Sequence, residues 1–200
     1  SGKFLLYSWF ETTAVPKSAK ISNRTFTSRR LILMLTTVSA SLGSMSAGAD
    51  ELVARAKKIH ERVITLDTHV DISPDNFTPQ TNYLTTPNTQ VDLPRMEAGG
   101  LDAAFFIVYV GQGPLTEEGY AAAYKAAMEK FDAIHWMTEQ LAPERIALAL
   151  TAEEVRDIAS SGRRVALIGV ENAYPMGLDL ANIARFAERG ARYMSLAHNG

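Results

Sequence analysis

The residues of this chain best suited to chemistry stand at three places: His69 and Asp71 together, Glu171, and His198. An imidazole nitrogen and a carboxylate oxygen two residues apart form half of a site for a divalent ion such as zinc. The same spacing also suits a hydrogen-bonded structural pair. The run Val63-Ile64-Thr65-Leu66-Asp67 reads as a buried strand. Residues i and i+2 of a strand share a face, so Asp67, His69 and Asp71 are expected along one side of its carboxyl end. Asp67 reads as a carboxylate that supports the pair rather than one that binds metal. Glu171 closes a second apolar run, where a salt-bridged core carboxylate is the plainer alternative to a ligand. His60 and His135 fall in helical stretches and read as solvated or packing side chains.

The elements that must position these groups are legible as runs and periods. Arg164 to Val170 is apolar and strand-like, and it stops at Glu171. Ala191 to Ala197 is another such run, stopping at His198, and Leu101 to Val110 is a third. Helical spacing of Tyr120, Tyr124, Ala127, Phe131, Ile134 and Leu141 marks Gly119 to Leu141. Thr151 with Glu154 three residues on has the form of a capping box for a helix through Ala159. A further helix is expected from Leu178 to Glu188, ended by Gly190, and another from Glu51 to Arg62. Asp92 before Leu93-Pro94 reads as a helix cap that ends at Gly99-Gly100. The Tyr174-Pro175-Met176 segment is placed in a strand-to-helix loop that shapes the pocket. Strand–helix alternation argues for a parallel sheet with helices outside. Ionisable residues at strand carboxyl ends are where a (β/α) barrel keeps its chemistry. No glycine-rich phosphate loop follows any strand, so nothing supports a nucleotide site.

Four blocks resemble the membrane dipeptidase (renal dipeptidase-like, M19 peptidase) family in order and approximate spacing. They are Asp67-Thr68-His69-Val70-Asp71, Val91 to Gly100, Gly169-Val170-Glu171, and Gly190 to Asn199, spread over roughly residues 51 to 200. The resemblance implies an α/β fold, a TIM-like (β/α)8 barrel of the metal-dependent amidohydrolase type, with only its amino-terminal part in this chain. It implies two zinc ions and hydrolysis of dipeptides, some with a D-residue at the carboxyl end; some members open β-lactam rings. By position, His69 and Asp71 would bind the first metal, Glu171 would bridge both, and His198 would face the scissile carbonyl or its tetrahedral intermediate. Thr68 and Val70 replace the family's frequent glycine and asparagine, at positions that supply no ligand.

The family's second metal is completed by two later histidines, and its general acid lies later still. The four histidines here are His60, His69, His135 and His198, so those ligands have no counterpart. The expectation is therefore the front part of a longer enzyme, not competent alone. The alternatives are another hydrolase on the same barrel, acting on a lactone, cyclic amide or phosphotriester, or a catalytically incomplete product. Against the first, relatives of that kind more often carry His-x-His on the first strand, and Asp71 stands at the second position.

Composition sets the remaining bounds. A hydrophobic content of 46% is ordinary, and a net charge of −2 gives no reason to expect nucleic acid as a partner. With no cysteine, disulfides, thiolate ligands and a cysteine nucleophile are all excluded. Residues 25–49 read as an export signal: Arg29-Arg30, the apolar run Leu31 to Val38, and a small-x-small site at Ala47-Gly48-Ala49 before Asp50. The apolar run is shorter than the ~20 residues of a membrane span. The arginine pair also fits a twin-arginine leader. The expected location is the bacterial periplasm or outside the cell, with no membrane span in the mature chain and homodimerisation left open. Residues 1–24 are an unassigned extension, and 50–200 are expected to form the barrel portion.

Overall fold

The computed structural model describes residues 48–85 and 89–198. The chain divides into two units, Ser1–Glu51 and Leu52–Gly200; the fold below is that of the second. The extension and nearly all of the export signal read from the sequence lie outside the described residues. Residues 48–60 are helical (α1) and exposed throughout. There follow β1 (Leu66–Asp71), α2 (Leu93–Gly99), β2 (Ala103–Tyr109), α3 (Glu117–Trp136), β3 (Ile146–Leu148), α4 (Ala152–Ser160), β4 (Arg164–Glu171), α5 (Ala181–Glu188) and β5 (Ala191–Met194).

Local chemistry sets the helix ends. The Asp92 carboxylate accepts from Arg95 N–H to start α2, and Gly100, at φ +70°, ends it in the left-handed region that glycine tolerates. Thr116 caps α3 by accepting from Gly119 N–H. Thr151 caps α4 by accepting from Glu154 N–H at 3.1 Å. The reciprocal half of the expected capping box is shifted by one residue: Glu154 accepts from Leu150 N–H, at 2.6 Å, instead of from Thr151. α3 runs on through a wider π turn, Met137–Leu141, so the long helix read to Leu141 holds as one stretch.

All the strand pairs are parallel. The order is β1-β2-β4-β3, with β5 also on β4. β3 meets only the first residues of β4, Arg164 to Ala166, while β5 meets Ile168 to Val170 further along. The short β3 is thus an accessory at the base. The four longer strands follow one another as β1, β2, β4, β5, the sequential order a barrel wall requires.

The two faces of this wall do different work. Ala104, Phe106, Val108, Ala166, Ile168 and Val170 pack outward against Met96 of α2, Phe131 and Ile134 of α3, and Phe186 of α5. Each large side chain buried there contributes about 1.5–3 kcal/mol. On the inner face, Ala103, Val165 and Leu167 form a smaller cluster with Ile158 of α4, low in the wall. The strand starts are tied by Asp102, which accepts from Thr65 N–H at 2.9 Å and from Arg164 at 2.7 Å. Above them the inner face carries Asp71, Tyr109 and Glu171 beside Ile107.

Two sequence expectations change at β1. The strand begins at Leu66 rather than Val63, so His69 and Asp71 lie within it, and Val63 and Ile64 are exposed. β1 also contains an irregularity between Asp67 and Val70. Asp67 pairs with Ala104 and Asp71 with Ile107, which lie on opposite faces of β2. The inserted residue breaks the two-residue alternation, and Asp67 does not share a face with Asp71.

Candidate metal centre

The ends of β1 and β4 bring three candidate ligands together. His69 Nε2 lies 3.6 Å from Asp71 Oδ1 and 3.3 Å from Glu171 Oε2. One ligand atom from each residue falls within 4.8 Å of the others. Glu171 is the most enclosed, with 19% of its side chain exposed, whereas Asp71 is 72% exposed. The donor set, one imidazole nitrogen and two carboxylates, fits a divalent ion of the zinc type. Without such an ion the carboxylates gather negative charge at one spot, and a cation offsets this.

Glu171 faces two ways. Its Oε2 looks toward His69, and its Oε1 lies 3.6 Å from His198 Nε2. His198 follows β5 and is held from its other side by Tyr109, whose hydroxyl is 3.3 Å from Nδ1. The structure therefore brings His69, Asp71, Glu171 and His198 to one end of the parallel sheet, as expected from the runs.

Several neighbours hold this geometry; of these the sequence marks Asp67 alone, as a supporting carboxylate. The β1 irregularity is pinned by Asp67, whose carboxylate accepts from His69 N–H at 2.9 Å. Tyr193 of β5 lies across β4 and donates to Thr68 O at 3.3 Å, with its ring 5.1 Å from that of Phe105. This crossing requires glycine at 169, where a Cβ would come within 2.2 Å of the Tyr193 ring. Partial burial raises the Tyr193 phenol pKa, and the charges of Glu171 and Asp71 add to the shift. Lys130 of α3 donates to Ile72 O at 2.8 Å, one residue beyond Asp71. Burial lowers its pKa, while Asp71 and Glu171 pull it back up.

Behind Glu171, Asn172 is buried and takes φ +74°, the sole non-glycine residue at positive φ among those described. Its amide donates to Val110 O at 2.9 Å, and its backbone N–H donates to Ser195 Oγ at 2.9 Å. These bonds tie the end of β4 to β2 and to the segment after β5. An asparagine directly after the strand-end Glu171 was the signal available for it, because asparagine enters positive φ more readily than most residues.

Other expectations resolve as structural. His135 bridges Glu139 at 2.7 Å and Arg189 O at 3.0 Å, a helix-to-helix tie remote from the centre. Pro175 and Met176 line a hollow of about 880 Å³ between α3 and α5, which contains none of the cluster residues. Of the segment Tyr174-Pro175-Met176 read as pocket-shaping, Pro175 and Met176 line that hollow and not the ligand cluster. Beside the ligands is a smaller cavity of about 300 Å³, lined by His69, Asp71, Thr89, Gln90 and Val91 among others.

A parallel α/β wall with α2, α3 and α5 on its outer face, carrying a His/Asp/Glu cluster at its strand carboxyl ends, defines part of a TIM-type barrel of the metal-dependent hydrolase kind. The membrane dipeptidase family model (peptidase family M19) matches residues 53–200, and the chain belongs to that family. It is 27% identical to the dipeptidase verJ of Clonostachys rogersoniana over 168 residues, covering 78% of this chain and 43% of that protein. The probable dipeptidase PvdM of Pseudomonas aeruginosa shares the fold at TM-score 0.69 and 22% identity, over 76% of this chain and 38% of PvdM. A metallopeptidase of Rhodobacter sphaeroides, solved with a phosphinate mimic of the dipeptide L-Ala-D-Ala, matches at TM-score 0.58 and 25% identity over 68% of this chain and 45% of its own. The chain thus spans less than half the length of these relatives.

Proposed function

We propose that the chain is the metal-binding front part of a zinc-dependent dipeptidase, working within a longer polypeptide that completes the second metal's ligands. The observation that carries this is the meeting of His69, Asp71 and Glu171 within 4.8 Å, in a chain matched by the M19 family model over residues 53–200. A dipeptide is the favoured substrate class because named relatives are dipeptidases and one was solved with a dipeptide mimic.

In this reading His69 and Asp71 would hold one ion, and Glu171 would contribute to both that ion and a second. Bound zinc supplies Lewis acidity and a water deprotonated near neutral pH. His198 offers Nε2 to the carbonyl oxygen as charge builds there, an electrostatic contact of the oxyanion-hole kind. Asp67 and Tyr193 fix the backbone around His69 so that the imidazole keeps its aim. Tyr109 at the end of β2, and Asn172 through its bond to Val110 O, hold the groups around Glu171. Residues 25–49 act as an export leader in this account, with the mature chain starting at Asp50.

The test is hydrolysis of a set of dipeptides by the full-length gene product before and after chelation. Activity that vanishes on chelation and returns with zinc supports the reading. Turnover indifferent to chelation and metal return contradicts it.

A further inference from the structure

α3 turns Ala127, Phe131 and Ile134 into the core. Lys130 stands three residues after the first of these and four before the last, on the same stripe, where an apolar residue is the ordinary occupant. Its ammonium donates to Ile72 O at 2.8 Å, across 58 residues of chain. Among the described residues it has no carboxylate within ion-pair distance, unlike Lys125 of the same helix, which pairs with Glu129. Ile72 directly follows Asp71, the last residue of β1 to pair with β2, opposite Ile107.

We infer that Lys130 positions the Asp71 carboxylate for the metal by tying the chain just beyond Asp71 to α3. The inference rests on the proposed reading that Asp71 is a ligand. Asp71 is the most exposed of the three candidate ligands, so packing does not fix its side chain and its aim follows from the backbone that carries it. Among the described strands β1 pairs with β2 alone, which leaves its other edge without a ladder. Three bonds from outside the ladder hold its end: Asp67 accepts from His69 N–H, Tyr193 donates to Thr68 O, and Lys130 donates to Ile72 O. Only the last lies beyond Asp71, before the chain turns at Pro74–Asn76. An ammonium donating to a carbonyl is charge-assisted and roughly twice as strong as a neutral pair, which suits a tie at the loose end of a strand. The charge itself acts the other way. Asp71 and Glu171 both feel it, and a cation beside a metal opposes the metal. The bond and the charge therefore predict opposite changes in zinc affinity when Lys130 is removed, and the bond is the one that accounts for a lysine here. Lys130 is a positioning residue that acts through Asp71.

The experiment measures the zinc affinity of the full-length gene product by competition with a chelator, with no substrate present. Lys130→Met keeps an unbranched stem in place and removes the donor. It should bind zinc about ten-fold more weakly, the scale on which an outer partner of a metal ligand acts. Lys130→Arg keeps a cationic donor and should restore most of the loss. If Lys130→Met does not fold, Lys130→Gln, whose amide has a shorter reach, carries the same prediction. Unchanged affinity, the result for a lysine that only supports the fold, overturns the inference. Tighter zinc, the result for a lysine that acts by charge, overturns it as well. Asp71→Asn separates the inference from the reading beneath it. Undiminished zinc affinity in that variant overturns Asp71 as a ligand; weakened affinity there beside an unaffected Lys130→Met overturns the role of Lys130 alone. In the Asp71→Asn background Lys130→Met should cost little more, because its effect passes through Asp71, and a fully additive loss overturns that route.

Discussion

His69 Nε2 and Glu171 Oε2 lie 3.3 Å apart although β2 separates their strands. Two groups on next-but-one strands meet only because the wall curves and the irregularity in β1 aims the imidazole inward. The site is a property of the sheet's shape, and variants that disturb the shape should disturb the metal.

Gly169 is where that is most directly seen. An added methyl would sit 2.2 Å from the Tyr193 ring, between β4 and the bond to Thr68 O. Gly169→Ala should cost about 1–3 kcal/mol, as overpacking does. Thermal unfolding of Gly169→Ala, Tyr193→Ala and the double variant checks it. The double variant should be markedly more stable than the sum of the singles predicts, because removing the ring removes the clash. Additive losses would contradict the crossing.

Tyr83 gives a pH signature. Its hydroxyl is fully buried without a partner among the described residues, and its pKa is pushed up to about 12, by burial first and then by Asp92 and Asp71. A raised native pKa means the unfolded chain releases this proton first, near pH 10. The associated stability is therefore present below pH 10 and falls as pH rises to about 12, by about 2 kcal/mol. Tyr83→Phe should flatten the stability profile over that window while changing little at neutral pH, since no hydrogen bond is lost. Denaturant unfolding at a series of alkaline pH values is the measurement, and an unaltered slope in the variant would contradict it.

The outer-face pattern explains how much could be read in advance. β4 and β2 were legible because strands covered on both sides read as continuous apolar runs, and Glu171 stood out as the charge that ends one. β3 was missed because three residues, Ile146–Leu148, are too short to show a period. The irregularity in β1 was missed because alternation was assumed, and it moved Asp67 off the shared face. Tyr109 and Tyr193 lie inside apolar runs that assign them no role of their own. Their roles depend on register, Tyr109 opposite Glu171 and Tyr193 opposite Gly169, and register is a pairing that a single run does not carry.

Export is open to a direct check. Arg29-Arg30, the apolar run after it and Ala47-Gly48-Ala49 predict a mature chain beginning at Asp50. Among the described residues no helix is long and apolar enough to cross a membrane. Amino-terminal sequencing of protein recovered outside the cytoplasm should start at Asp50. A product that retains Leu31 to Val38 would contradict the assignment.

His198 and the ligands are separable by what each variant keeps. His198→Ala removes a proposed substrate contact and no ligand. It should retain zinc while dipeptide hydrolysis falls by about 100-fold or more, the scale of one lost oxyanion contact. Loss of zinc together with activity would move His198 into the ligand set instead.

The central claim is that Glu171 joins the two halves of a metal centre, and zinc content in Glu171→Gln tests it most directly. The substitution preserves shape and removes the charge that His69 and His198 both face, at 3.3 Å and 3.6 Å. Metal analysis of the purified full-length variant, beside its dipeptide hydrolysis rate, should show zinc and activity falling together. Full zinc occupancy with undiminished turnover in Glu171→Gln would contradict the account.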